Sequence, residues 1–522
     1  MRGVFLMKRL LSNVLLLVLT MSLIAACGNS NNNNSTNGEQ GQNATNGAAQ
    51  EGNDLREKEL VKLNVVMMSN DKEDKDLVVE EVNKITREKL NVEVELTFIS
   101  YGNYVQQTTM MLSSGKGVDL LPIYMTPLAT MANNGQIIPL TKLIDKYGQE
   151  MVEAIGEEYI EAGRIGEDIY GITTGRDLAK AYGFEMRKDL ADKYNIDYAN
   201  IKTLDQLEEA LMIIRANEPD VIPVVPSNGE LVRNWGWDTL GDDMTNLGVL
   251  MDYGKELNVV NLYETEFYKE FITRMHKWYN NGLIMKDAIN NTENVGTMMK
   301  AGSAFGGFMN LKPGFDVQET RNYGTEIVVS EIIPAYKTTS DVQMATWAIS
   351  NGSKHPEAAM KLLNLMYSDP ELSNLLINGI KDKHYVAIGE ASNGQSIIDY
   401  PEGLDATTTG YRPSGGWLWP NQTIGHVWAG NAANYWEEQT NFNNTAAVSA
   451  AYGFTFDSSK VRNQMTASSN VVAKYHDALM TGMLDPEKAL PVFLKELESA
   501  GIKDIVAEKQ AQLDKWAAAQ NK

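Results

Sequence analysis

Apolar Val61, Leu63, Val65 and Met67 alternate with Lys62 and Asn64 before the run turns fully apolar. A period of two predicts a strand with one face buried. Over residues 76–89, Val78, Val82 and Ile85 recur at helical spacing, which predicts a helix. Val92, Val94, Leu96 and Phe98 then alternate with Glu93, Glu95 and Thr97, a second strand. Strand, helix and strand in so short a stretch form a βαβ unit, so the expected class is α/β with parallel strands. The apolar run from Gly117 to Tyr124 predicts a third, buried strand. In open α/β sheets ligands gather beyond the carboxyl ends of the strands. Ser100, Tyr101 and Tyr124 occupy those ends. Later stretches are mainly helical. His355-Pro356-Glu357 opens one helix, with proline in the first turn where its missing N–H costs nothing, and Met360, Leu363 and Met366 follow on one face.

Length changes the picture first. A single core stops growing near roughly 250–300 residues, so a chain of 522 predicts two lobes. The formal net charge of −22 disfavours phosphate backbones and anionic headgroups, so nucleic acid is not an expected partner. Cys27 is the only cysteine, which leaves no intrachain disulfide and no thiolate metal cluster. The histidines (His276, His355, His384, His426 and His476) are scattered, and none pairs with another at i, i+4. No metal or cofactor site is therefore expected. Basic Arg2, Lys8 and Arg9 precede an apolar stretch from Val14 to Ala26, too short for a bilayer span of about 20 residues. This pattern predicts a signal peptide over 1–26, and Met7 begins an equally good one. Ile24-Ala25-Ala26-Cys27 resembles a bacterial lipobox, which implies a lipid on Cys27. The Asn- and Gly-rich stretch that follows cannot bury enough surface to fold, so 27–57 is read as a tether.

Six short segments in order carry a resemblance. They are Ser113-Ser114-Gly115 with Val118-Asp119, then residues 132–147, 166–175 and 182–211, and finally 300–310 and 345–369. Together they resemble the family 1 extracellular solute-binding proteins of ABC sugar importers. Thr173 stands where that family usually has proline. The segment GWLWPNQTIG, which holds Trp417 and Trp419, is similar to a C-terminal domain on a large Gram-positive lipoprotein branch. The resemblance implies a two-lobed, type II periplasmic-binding-protein-like α/β fold with a hinge and a central cleft. Lobe one would be 58–180 plus 337–384, and lobe two 181–336 plus 385–522. It also implies a receptor that hands a carbohydrate, an oligosaccharide by analogy with larger members, to ABC permease subunits. The lipobox places it at the outer face of the cell membrane, and a monomer is the default because two lobes must open and close freely.

Sugars present flat C–H faces and a rim of hydroxyls, so aromatic plates with charged or amide groups suit them. Trp235-Gly-Trp237-Asp238 and Trp417-Leu-Trp419-Pro-Asn421 offer both, and an extended backbone would turn each pair of indoles to one side. Core packing is the competing role for any one of these tryptophans. Arg176 and Asp177 follow the segment where the family's chain enters the cleft, with a surface ion pair as the alternative. Asn310 ends an apolar run and could sit at a strand's carboxyl end. Trp347 and Tyr170 read as core.

Signatures of catalysis are sparse. There is no G-x-S-x-G, Walker loop, H-E-x-x-H or G-x-G-x-x-G. Ser69 and Lys72 match a bare S-x-x-K without its companion motifs. The acidic run from Asp71 to Asp76 lacks the glycine and terminal glutamate of a calcium loop and reads as a solvated helix start. The chain is read as a receptor and not an enzyme. A secreted glycosidase, which needs only two carboxylates, remains the alternative, as does the same fold holding a peptide or a signalling molecule.

Overall fold

The computed structural model describes residues 55–520, except 71, 125, 227–230, 233–234, 242–245 and 414–415. The stretch 1–26 read as a signal peptide, and Cys27, lie outside the described residues. The strands of the first half are β1 (Val61–Met68), β2 (Val92–Ile99), β3 (Leu120–Tyr124), β4 (Arg164–Ile165), β5 (Asp168–Ile169), β6 (Ile172–Thr173), β7 (Lys180–Arg187) and β8 (Ile222–Val224). Then come β9 (Ala304–Leu311), β10 (Ile327–Lys337), β11 (Ala345–Ile349), β12 (Val386–Glu390), β13 (Ser396–Asp399), β14 (Val427–Trp428) and β15 (Ala447–Val448).

The predicted βαβ unit is present. β1 and β2 pair in parallel from Val61 opposite Val92 to Met68 opposite Ile99. The helix Lys75–Leu90 joins them and buries Val78, Val82 and Ile85. Asn83 fastens that helix to β2, accepting from the Val94 N–H at 2.7 Å and donating to its carbonyl at 3.0 Å. The acidic run does more than start this helix. Asp74 reaches Lys383 and the Nε2 of His384, both at 3.1 Å. Burial would raise its carboxyl, but the bonds from His384 and Lys383 prevail and hold it below its ordinary value.

The first sheet has the order β2-β1-β3-β11-β6. It is mixed: β11 returns from the other lobe and pairs antiparallel to β3, from Ala345 opposite Tyr124 to Ile349 opposite Leu120. The second sheet has the order β15-β10-β7-β9-β8, with β7 antiparallel to both neighbours. Each sheet supports its own apolar core. One holds Leu63, Val65, Leu120, Trp347 and Met360, the other Phe184, Phe305, Phe308, Trp278 and Ile272. The molecule therefore has the expected two-lobed, type II arrangement.

The lobe boundary expected at 385 moves. Tyr411, Leu418 and Trp419 are buried in the first lobe's core, so the chain leaves that lobe only after 419. The reason is apolar complementarity: Trp419 stacks on Trp347, with ring centroids 6.1 Å apart. The last helices (Arg462–Met480, Pro486–Ala500 and Ile502–Ala519) pack into the second lobe through Leu479, Phe493, Leu497, Ile505 and Leu513. Among the described residues, no helix is long and apolar enough to cross a membrane.

Candidate functional site

Among the described residues, three crossings join the lobes. The first runs from β6 to β7 through Thr174–Ala179. The second leaves β10, makes a short helix (Thr339–Gln343) and enters β11. Thr338 and Asp341 cap that helix reciprocally, with both the Thr338 N–H and its hydroxyl donating to the Asp341 carboxylate. The third runs from Trp419 to β15, which pairs with the end of β10.

The first and third crossings lie side by side. The Gly175 N–H donates to the Pro420 carbonyl at 2.7 Å, and the Gln422 N–H donates to the Gly175 carbonyl at 2.9 Å. A Cβ on Gly175 would sit 2.5 Å from the Asn421 side-chain oxygen, so only glycine permits this approach. Asn443, on the helix Tyr435–Thr445, accepts from the N–H groups of Leu178 and Ala179 and donates to the Arg176 carbonyl. Arg176 binds the crossings together. Its guanidinium donates to the Thr174 hydroxyl at 3.1 Å and to the Asp341 carbonyl at 3.0 Å.

A cleft opens over these crossings, with about 1130 Å³ of space including the part open to solvent. Lobe one contributes Tyr124, Thr126, Pro127 and Leu128 to its lining, and lobe two contributes Thr239, Gly241, Asn246 and Asn310. Arg176, Asp177, Lys180, Ser340 and Asp341 form its floor. Charges there are paired: Asp177 with Lys312 at 3.4 Å, and Asp341 with Lys180. Burial pulls the Arg176 guanidinium below its ordinary value, against the charges of Asp177 and Asp341. Burial also pulls the Lys312 ammonium down, but the Asp177 charge prevails and keeps it above its ordinary value.

On the lobe-one side a stepped row of aromatic rings runs out from this floor. The Arg176 guanidinium stands 5.8 Å from the Trp417 ring centroid, and Trp417 meets Tyr124 edge-on at 5.2 Å. Tyr124 meets Tyr101 at 6.2 Å, and their hydroxyls are 3.3 Å apart. Tyr101 is 56% exposed, an unusual position for an aromatic ring.

Of the predicted site residues, Tyr124, Arg176, Asp177 and Asn310 line the cleft, and Tyr101 and Trp417 continue it. The other five do not face it. Gly236 has φ 84°, so the chain turns between Trp235 and Trp237 and the indoles part. Trp235 packs among Tyr182, Phe271 and Phe308. Trp237 is buried, and its N–H donates to Asn246 at 2.9 Å. Asp238 is buried and accepts from the Leu240 N–H and the Ser449 hydroxyl; burial pushes its carboxyl up. Residues 416–418 form a 3-10 turn, so Trp417 and Trp419 also diverge, and Trp419 enters the core. Asn421 is a buried hinge residue that donates to the Tyr367 carbonyl and accepts from Thr423.

Sequence reasoning missed Thr239, Gly241, Asn246, Ser340 and Asp341. For Asp341 a signal existed, because Thr338-x-x-Asp341 is a capping-box pattern. Among the described residues, no group of three or more His, Cys, Asp or Glu could hold a metal ion. Aromatic faces, amides, hydroxyls and one buried guanidinium, offered from both lobes, suit a polar, hydroxyl-rich solute.

Comparison with known proteins agrees with this geometry. A carbohydrate ABC transporter substrate-binding protein of Streptococcus pneumoniae is 26% identical over 94% of this chain and 95% of its own length. The crystal structure of the N-glycan transport solute binding protein from Streptococcus pneumoniae superposes with a TM-score of 0.80 at 25% identity, over 88% of this chain and 100% of that one. The same protein in complex with Man5GlcNAc gives a TM-score of 0.73, over 88% and 99%. An alginate-binding protein shares the fold at 17% identity and a TM-score of 0.60, over 88% and 99%. Residues 450–518 match a domain of unknown function, DUF3502. The profile of the bacterial extracellular solute-binding proteins matches residues 70–371, a span that takes in the first two crossings and most of both sheets. Since that span is more than half of the sequence, the chain belongs to the bacterial extracellular solute-binding protein family.

Proposed function

We propose that the protein is the receptor of an ABC importer and captures an oligosaccharide between its lobes. The observation that carries this reading is the row Trp417–Tyr124–Tyr101 leading out of a polar cleft. Three stepped rings extend far enough to meet more than one sugar unit, and the Arg176–Asp177 floor supplies charged hydrogen-bond partners for one end. The relatives that bind N-glycans and other saccharides support the ligand class. A ligand that touches both lobes favours the closed state by its differential affinity, and the closed state would dock on the permease. In this reading Cys27 carries the lipid that holds the protein at the outer face of the membrane.

Receptor is favoured over glycosidase because both acidic residues among the described cleft lining, Asp177 and Asp341, are engaged by lysines. A glycosidase needs one carboxylic acid positioned to give up a proton.

The test is a thermal-shift and calorimetric panel of mono- and oligosaccharides, with mass spectrometry of the recovered sugar. Saturation at about 100 times the dissociation constant should stabilise the fold by about 2.7 kcal/mol. Binding with intact recovery supports the receptor, and cleaved sugar would support the glycosidase. A shift with peptides alone would keep the fold and replace the ligand. The mass of the N-terminal peptide from membranes, with or without a diacylglyceryl group on Cys27, tests the anchor.

A further inference from the structure

We propose that the C-terminal domain, residues 450–518, is part of the recognition apparatus: the buried Lys509 and its neighbours hold the cleft-lining segments 237–241 and 246–250 in shape. This rests on the reading of the cleft as the ligand site. None of the described lining residues belongs to the domain, so its effect is exerted through the segments it supports.

Those segments are strained. Leu240 and Asn246 hold φ values of 63° and 51°, in the left-handed region that side chains disfavour, and Gly241 and Gly248 are there too. Such conformations persist only where surrounding structure imposes them. The domain supplies much of that structure. Lys509 is 0% exposed, and its ammonium donates to the Gly248 carbonyl at 2.9 Å and the Thr239 carbonyl at 3.2 Å. It also lies 5.1 Å from the centroid of the Phe456 ring. An ammonium buried only to fill space would be costly beside a methionine of similar length, so its donors define its task. The Phe456 N–H adds a bond to the Leu240 carbonyl at 3.0 Å.

The same domain grips the second crossing. The Gly453 N–H donates to the Thr339 hydroxyl at 2.8 Å, and the Gln343 amide donates to the Thr455 hydroxyl at 2.9 Å. Ser340, on that crossing, meets the Thr239 hydroxyl at 2.8 Å and the Gly241 N–H at 3.1 Å. Crossing, cleft wall and C-terminal domain are thus fastened at one place. Lys509 is a positioning residue within that arrangement.

The test is Lys509→Met in the full-length protein, by hydrogen exchange without ligand and by calorimetry with Man5GlcNAc. Faster exchange confined to 237–241 and 246–250, with the helices 462–480 and 486–500 protected as in wild type, is the expected result. It should come with affinity about tenfold weaker, equivalent to about 1.4 kcal/mol. Unchanged exchange in those segments, or a general loss of protection with affinity retained, would overturn the proposal. If Lys509→Met does not fold, Phe456→Leu, which removes the ring beside the Lys509 ammonium, is read the same way. A wild-type protein that binds no Man5GlcNAc counts against the sugar reading, and the exchange result still decides this one.

Discussion

Trp417 and Trp419 are two residues apart and have different tasks. Trp417 stands between Arg176 and Tyr124 at the cleft, whereas Trp419 stacks on Trp347 in the core. Trp417→Ala should leave the melting temperature nearly unchanged and weaken oligosaccharide binding about 10- to 100-fold, as for a central aromatic anchor. Trp419→Ala should instead destabilise the fold by about 3–5 kcal/mol, the usual cost of deleting a buried aromatic. Calorimetry and thermal unfolding of both variants would show this separation or its absence. The sequence named both tryptophans but could not separate them. Alternation holds only for extended backbone, and one 3-10 turn reverses it.

Glu185 makes a second prediction at this scale. Burial on β7, then the charge of Glu319, pushes its carboxyl well above the ordinary range, against the Tyr323 hydroxyl. The folded state therefore holds this proton more tightly than the unfolded chain. Its contribution to stability is present in acid and is lost as pH rises through the folded value. Glu185→Gln, which cannot ionise, should be more stable than wild type by about 1 kcal/mol or more at about pH 8. That gap should close toward pH 4.5, the ordinary carboxylate value. Unfolding curves across that range provide the check.

At the scale of elements, the crossings set the geometry. At Gly175 the first and third crossings touch, with Asn421 behind it. Gly175→Ala must push the third crossing away, at a cost of about 1–3 kcal/mol for an overpacked site. It should also weaken ligand binding, because Arg176 and Asp177 follow directly. Thermal unfolding and calorimetry on the one variant measure both effects. These features were hidden in the sequence. β2 and the first half of β1 were legible because one face is buried and the sequence alternates, whereas the second half of β1 is buried on both faces. β7 is buried on both faces for most of its length and shows no alternation. The pairing of Gly175 with Pro420 joins residues far apart in sequence, and no local pattern announces it.

At the scale of the whole molecule, length predicted two lobes, and ordered short motifs predicted the family. The boundary at 385 failed because membership of a lobe is decided by which core a tryptophan enters, and Trp419 enters the first. In the proposed function the two lobes enclose an intact oligosaccharide. Small-angle scattering of the purified protein, with and without Man5GlcNAc and with the sugar analysed afterwards, tests it most directly. Closure on the ligand should give a smaller radius of gyration with sugar, and the glycan should be recovered uncleaved. An unchanged radius at saturation, or a cleaved glycan, would contradict it.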